Sequence, residues 1–174
     1  MQAELRDSLR RAGIGRAYHD RSLTEIPAAA PLVEWLRGPF KQDLYEGRGW
    51  TVIGDGLPAK DAAMLLSRSV HLMGQQVRVV PLVRLISEVA RPGDLMSEIQ
   101  QARCLVLTDV FQQYGTGDCP YTGWQVASAE AFLGDWLDDQ KPLLVHAAKR
   151  LAGTWWSASF AASLARANTT IEIA

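Results

Sequence analysis

Read as a sequence, the segment Trp50-Thr-Val-Ile-Gly54-Asp-Gly56-Leu-Pro-Ala59-Lys60-Asp61 carries the densest chemical signal in the chain. It reads as an apolar strand, a glycine-bearing turn and the start of a helix. In that setting, backbone N–H groups and a helix dipole can hold phosphate oxygens, with a lysine supplying a point charge. The matching pattern is G-x-x-x-x-G-K-[ST]. Lys60 fits it. Ala59 stands where the second glycine belongs, and Asp61 where a magnesium-binding hydroxyl belongs. Pro58 also removes one N–H donor from the cradle. Gly54, Gly56 and Lys60 are therefore read as remnants of a nucleotide site. Asp61 is read first as support for a helix start, and second as a substitute metal ligand that would repel a triphosphate.

A second chemical candidate is Asp109, which ends the apolar run Leu105-Val-Leu-Thr-Asp109. It is suited either to hold a metal-bound water or to cap the following turn. Val110 follows it and can neither take a proton nor align a water. His146 is the polar residue of the run Leu143-Leu-Val-His146-Ala147, and a lone histidine after an apolar strand reads as a structural residue. His19, His71 and His146 have no metal-ligand spacing to cysteine or carboxylate, and no Gly-x-Ser-x-Gly elbow is present.

The elements that would position these residues alternate. Strands are expected at Trp50–Gly54, Gln76–Val80, Cys104–Asp109, Leu143–Ala147 and Thr169–Ile173. Helices are expected at 2–12, Pro31–Tyr45 with a break at Gly38-Pro39, Lys60–Met73, Leu82–Ala90, Gly93–Ala102, Trp124–Asp139 and Thr154–Ala167, the last capped by Thr154. Apolar strands separated by helices indicate an α/β fold, a three-layer parallel sheet covered on both faces. Residues 1–28 read as an N-terminal helix and irregular arm, and 29–174 as one α/β domain. Trp124, Trp136 and Trp156 fall on apolar helix stripes and are expected in the core. Trp155 would point elsewhere and is either a partner-contact anchor or packed under the arm. Arg10, Arg11, Arg16 and Arg21 make the arm basic. They suit DNA phosphates or an acidic partner surface, or are simply solvated.

Composition narrows the classes. With 174 residues and a formal net charge of -1, the chain has no global pull toward nucleic acid. Its two cysteines, Cys104 and Cys119, form no CxxC motif. Cys104 is expected to be a buried free thiol, which fits a reducing, cytoplasmic location. The charged N-terminus is not a signal peptide, and no apolar run approaches the roughly 20 residues of a membrane span.

The order of these features resembles the ATPase domain of DnaC-type helicase loaders, of the AAA+ class, including phage and mobile-element relatives. The phrases that carry the resemblance are Gly13-Ile-Gly15-Arg16, the Trp50–Asp61 loop, Gly74-Gln-Gln-Val, the apolar strand ending in Asp109, Lys141-Pro-Leu-Leu-Val, and Ala167-Asn168 before the last strand. The resemblance covers roughly residues 13–173. It implies a five-stranded sheet in the order 5-1-4-3-2, without a separate lid domain, and work on the replicative helicase and single-stranded DNA.

The resemblance also implies what is missing. Val110 replaces the glutamate that orients the attacking water. His146 stands at the end of the fourth strand, where the family keeps a polar residue that senses the γ-phosphate, and is the sensor candidate. Ser159 and Ser163 stand where two phosphate-sensing arginines belong, and Arg150 and Arg166 lie out of that register. Hydrolysis by this route needs those groups. The expectation is therefore a pseudo-ATPase. It would be a degenerate module that binds the replicative helicase or its loader, with no cofactor required and ATP or ADP with Mg²⁺ at most a weak ligand. One alternative is an active loader in which Asp61 binds metal and Arg150 or Arg166 replaces the lost arginines. Another is a RecA-like relative of cell-division inhibitors, which the phrases Val77-Arg-Val-Val-Pro81 and Leu105–Asp109 fit equally.

Overall fold

The computed structural model of the chain describes residues 2–110, 119–150 and 156–174. Its centre is a five-stranded sheet made of β1 (Gly49–Ile53), β2 (Val77–Pro81), β3 (Cys104–Val110), β4 (Leu143–Ala147) and β5 (Asn168–Glu172). The order is β2-β3-β4-β1-β5, and every pairing is parallel. This is the expected order 5-1-4-3-2 read from the other edge.

Side chains alternate across the sheet because the strand period is two. Cys104 and Val106 of β3 and Leu144 of β4 enter one core cluster, while Leu105, Leu107, Leu143 and Val145 enter the other. Helices α1 (Gln2–Arg11), α2 (Ala30–Arg37), α3 (Phe40–Tyr45) and α4 (Leu57–Leu72) contribute to the first cluster. Helices α5 (Leu82–Ala90), α6 (Asp94–Gln101), α7 (Gly123–Asp138) and α8 (Ala158–Ala167) contribute to the second. A sheet buried on both faces explains why its inner strands are nearly all apolar.

The N-terminal arm is part of this packing. Leu9, Ala12, Ile14, Leu23 and Ile26 are all buried in the first cluster. Between α1 and α2 the arm runs through short 3-10 turns at Arg16–Tyr18, Leu23–Glu25 and Pro27–Ala29. The middle turn is closed by a capping box between Ser22 and Glu25. The expected break at Gly38-Pro39 separates α2 from α3.

Three expectations need correction. Trp124 is 63% exposed; it sits in the first turn of α7, beyond the part of the stripe that reaches the sheet, whereas Trp136 and Trp156 are buried. The last helix begins at Ala158 under a Ser157 cap, not at Thr154; Thr154 and Trp155 lie outside the described residues. Finally, α4 begins at Leu57 rather than Lys60, a shift that reshapes the candidate site.

Candidate nucleotide site

The connection between β1 and α4 is short. Only Gly54, Asp55 and Gly56 separate Ile53 from Leu57, and Gly56 is the extended N-cap. A phosphate cradle needs the residues between its two glycines to curl with their N–H groups turned inward. Here Leu57, Pro58 and Ala59 are already helical. Pro58 suits a first helical turn because its missing N–H would have no intrahelical partner there. The Lys60 N–H is directed at the Gly56 carbonyl, 3.5 Å away. The first-turn N–H donors left at this end are those of Leu57 and Ala59.

Ala59 is fully buried, and the helix is seated tightly on the strand. A Cβ placed on Gly54 would fall 2.6 Å from Ala59 Cβ and 2.1 Å from the Ile173 carbonyl oxygen. Gly54 is thus needed for close approach of α4 and the chain after β5, and the Ala59 methyl helps fill the space beside it.

The charges of the site are paired internally. Lys60 Nζ lies 2.8 Å from Asp109 Oδ1, with both side chains mostly buried. Asp109 reaches that position through an irregular strand end. Its φ is +59°, and the β3–β4 register shifts between Leu107 and Val110. The bulge turns the Asp109 carboxylate toward Lys60 and returns Val110 to the opposite face, where it is fully buried in the second core cluster. The position that the resemblance assigns to a catalytic glutamate is therefore a core position here.

Asp61 is held by the arm. Its Oδ2 accepts a 2.7 Å bond from Arg21 Nη1, and its Oδ1 accepts a 3.1 Å bond from the Tyr18 hydroxyl. Arg21 also bonds Glu25 at 3.1 Å. The Arg68 guanidinium of α4 donates to the His19 carbonyl at 2.9 Å. Burial, reinforced by the bond to Asp61, pushes the Tyr18 phenol above its ordinary pKa. Near the start of α4, Asp61 thus fastens residues 18–21 across the helix. The sequence offered one signal for this: a carboxylate one turn into a half-buried helix needs a countercharge, and the arm holds several arginines.

His146 is fully buried in β4. Its Nδ1 accepts the Asp109 backbone N–H at 3.3 Å, so the neutral ring carries its proton on Nε2, which is buried without a hydrogen-bond partner among the described residues. Burial lowers its pKa, partly offset by the Asp109 charge. The sensor candidate thus ties the end of β4 to the end of β3.

The remaining arginine candidates are tied elsewhere. Arg150 Nε bonds Glu172 at 2.7 Å, and Arg166 Nη2 donates to Ser163 at 3.1 Å. Ser159 is exposed. Arg10 and Arg11 lie away from this site along α1, and Arg16 opens the first 3-10 turn. Among the described residues no group of three or more histidine, cysteine, aspartate or glutamate side chains could hold a metal ion. Cys104 is a buried free thiol, its pKa pushed up to about 12 by burial.

No family model and no curated protein sequence matches the chain. Solved structures do match in fold. The crystal structure of the DnaC helicase loader aligns with a TM-score of 0.66 at 14% identity, covering 95% of this chain and 99% of that one. AMPPCP-bound DnaA from Aquifex aeolicus aligns at 0.63 and 11% identity, covering 92% of this chain but 52% of that one. DnaA bound to AMPPCP and single-stranded DNA aligns at 0.61 and 13%, with 92% and 51% covered. The chain spans about half the length of those DnaA structures. Sheet order, helices on both faces and these alignments together establish that this chain has the AAA+ P-loop fold seen in the DnaC helicase loader and in DnaA.

Proposed function

We propose that this chain is a catalytically degenerate AAA+ module of DNA replication that works by binding another protein, either the replicative helicase or its loader. The fold supports the setting in replication. The observation that carries the degeneracy is the filled site: helix from Leu57, the Ala59 methyl against Gly54, and Lys60 closed on Asp109. A triphosphate with Mg²⁺ would have to unwind the first turn of α4, break the Lys60–Asp109 pair and face Asp61. Its hydrolysis would still lack a water-orienting group, because Val110 is a core residue. An active loader with Asp61 on the metal is disfavoured by the Arg21 and Tyr18 bonds that occupy that carboxylate. No observation favours the cell-division-inhibitor reading over this one.

The test is a pair of measurements on purified protein. ATP turnover should stay at background, with and without single-stranded DNA. Replicative helicase should be retained on the immobilised chain equally well with and without ATP. Turnover abolished by Lys60→Ala, or helicase capture that requires ATP, would overturn the proposal.

A further inference from the structure

A second constructed surface lies at the other end of the sheet and does not depend on the state of the nucleotide site. Between α1, the end of α4, the outer edge of β2 and α6 there is a groove of about 600 Å³. That is within the usual range for a ligand site. Its walls are held in place. Ser8 Oγ and His71 Nε2 lie 2.8 Å apart and join α1 to α4. The Arg78 guanidinium spans the groove, donating to the Arg11 carbonyl and pairing with Glu98. Its Nε is buried without a hydrogen-bond partner among the described residues.

Two properties define what fits. The first is backbone. β2 is an edge strand, and the Gln76 carbonyl on its inner side accepts from Cys104 of β3. The Val79 N–H points outward, to the Ala12 carbonyl at 2.7 Å. Because strand groups alternate between edges, the Val77 N–H and C=O also face outward, into the groove that Val77 lines. The second property is charge. Arg10 and Arg11 rim the groove. Arg10 is in an exposed pair with Asp7, at 3.2 Å, a kind of pair that is worth little. Glu98 is neutralised by Arg78. The lining also includes the amides of Gln76 and Gln101, and the His71 ring that is tied to Ser8. An extended peptide needs a strand edge and amides, and the groove offers both.

We propose that this groove binds an extended acidic segment of a protein partner. The segment pairs its backbone with the β2 edge at Val77 and sets its carboxylates on Arg10 and Arg11. The occupant is a short acidic strand, added in the manner of β-augmentation.

The probe is a fluorescein-labelled hexapeptide, Asp-Val-Glu-Ile-Asp-Val, titrated with the full chain at low salt and read by anisotropy. Saturable binding is expected. It should weaken about tenfold or more in the double variant Arg10→Glu/Arg11→Glu, and also at ~0.5 M salt. Both arginines are exposed, so the double variant keeps its fold. As a readout that does not depend on mutation, the peptide should shift the amide NMR signals of Val77, Arg78 and Ala12. The proposal is overturned by absence of binding up to about 1 mM protein, or by binding that the double charge reversal leaves unchanged. It is also overturned if an oligodeoxythymidine of equal charge binds more tightly through the same arginines.

Discussion

The two ends of the sheet use similar side chains in opposite ways. At the C-terminal ends of β1 and β3, cations beside the loop meet carboxylates of the same chain: Lys60 meets Asp109, and Arg21 meets Asp61. At the outer edge of β2, Arg78 is likewise paired, whereas Arg10, in an exposed pair with Asp7, and Arg11 lie toward solvent around an open groove. The difference teaches that a P-loop scaffold can satisfy its phosphate-binding charges internally. Asp109 holds Lys60, the lysine that the sequence pattern would place on phosphate.

Four perturbations bear on this contrast. The largest effect is expected from Val110→Glu. If Val110 is core rather than a damaged catalytic position, the substitution buries an unpaired carboxylate and costs more than about 4 kcal/mol. It restores no ATP hydrolysis, and urea unfolding with a turnover assay reads both. Next, Asp61→Ala leaves Arg21 and Tyr18 without their acceptor. Arg21 keeps Glu25 and is solvent-screened, so a modest fall in the urea midpoint is expected, with faster proteolysis within residues 16–25. A neutral effect would mean that the arm is held by its apolar contacts alone.

A smaller effect concerns pH. Burial lowers the pKa of both His146 and His71. An unfolded histidine protonates near pH 6.5, whereas these rings do so only at lower pH. Within that window the unfolded chain holds more protons, so stability is lost as pH falls below about 6.5. The urea midpoint should drop between pH 7.5 and 5.5, and His146→Gln should flatten the drop. The smallest effect is at the groove. Arg10→Glu/Arg11→Glu should change stability by less than about 0.5 kcal/mol while weakening peptide binding about tenfold or more. A large loss of stability would show that these arginines serve the fold.

Much of the architecture was legible because it rests on local periodicity. The strands, the break at Gly38-Pro39 and the burial of Trp136 and Trp156 follow from runs of apolar residues at strand or helix spacing. The sheet order came from resemblance, which no periodicity supplies. The failures have a common cause. Trp124 shares its spacing with Trp136, but spacing does not say how far down a helix the core extends. The early start of α4 depends on whether Leu57 to Ala59 coil or cradle, a choice settled by how Ala59 packs on Gly54. The bonds from Tyr18 and Arg21 to Asp61 join residues about 40 apart across an irregular segment, where no pattern marks the partner. The sequence singled out Lys60, Asp61 and Asp109 as candidates; the pairing of Lys60 with Asp109 and of Asp61 with Arg21 and Tyr18 was not legible in it.

The central claim is that the loop after β1 is closed on itself. Titration of the purified chain with ATP and Mg²⁺, followed by thermal unfolding, tests it most directly, because a ligand of the native state raises the melting temperature in proportion to its occupancy. No shift is expected at millimolar nucleotide. A rise of several degrees that saturates, and that Lys60→Ala removes, would contradict the account.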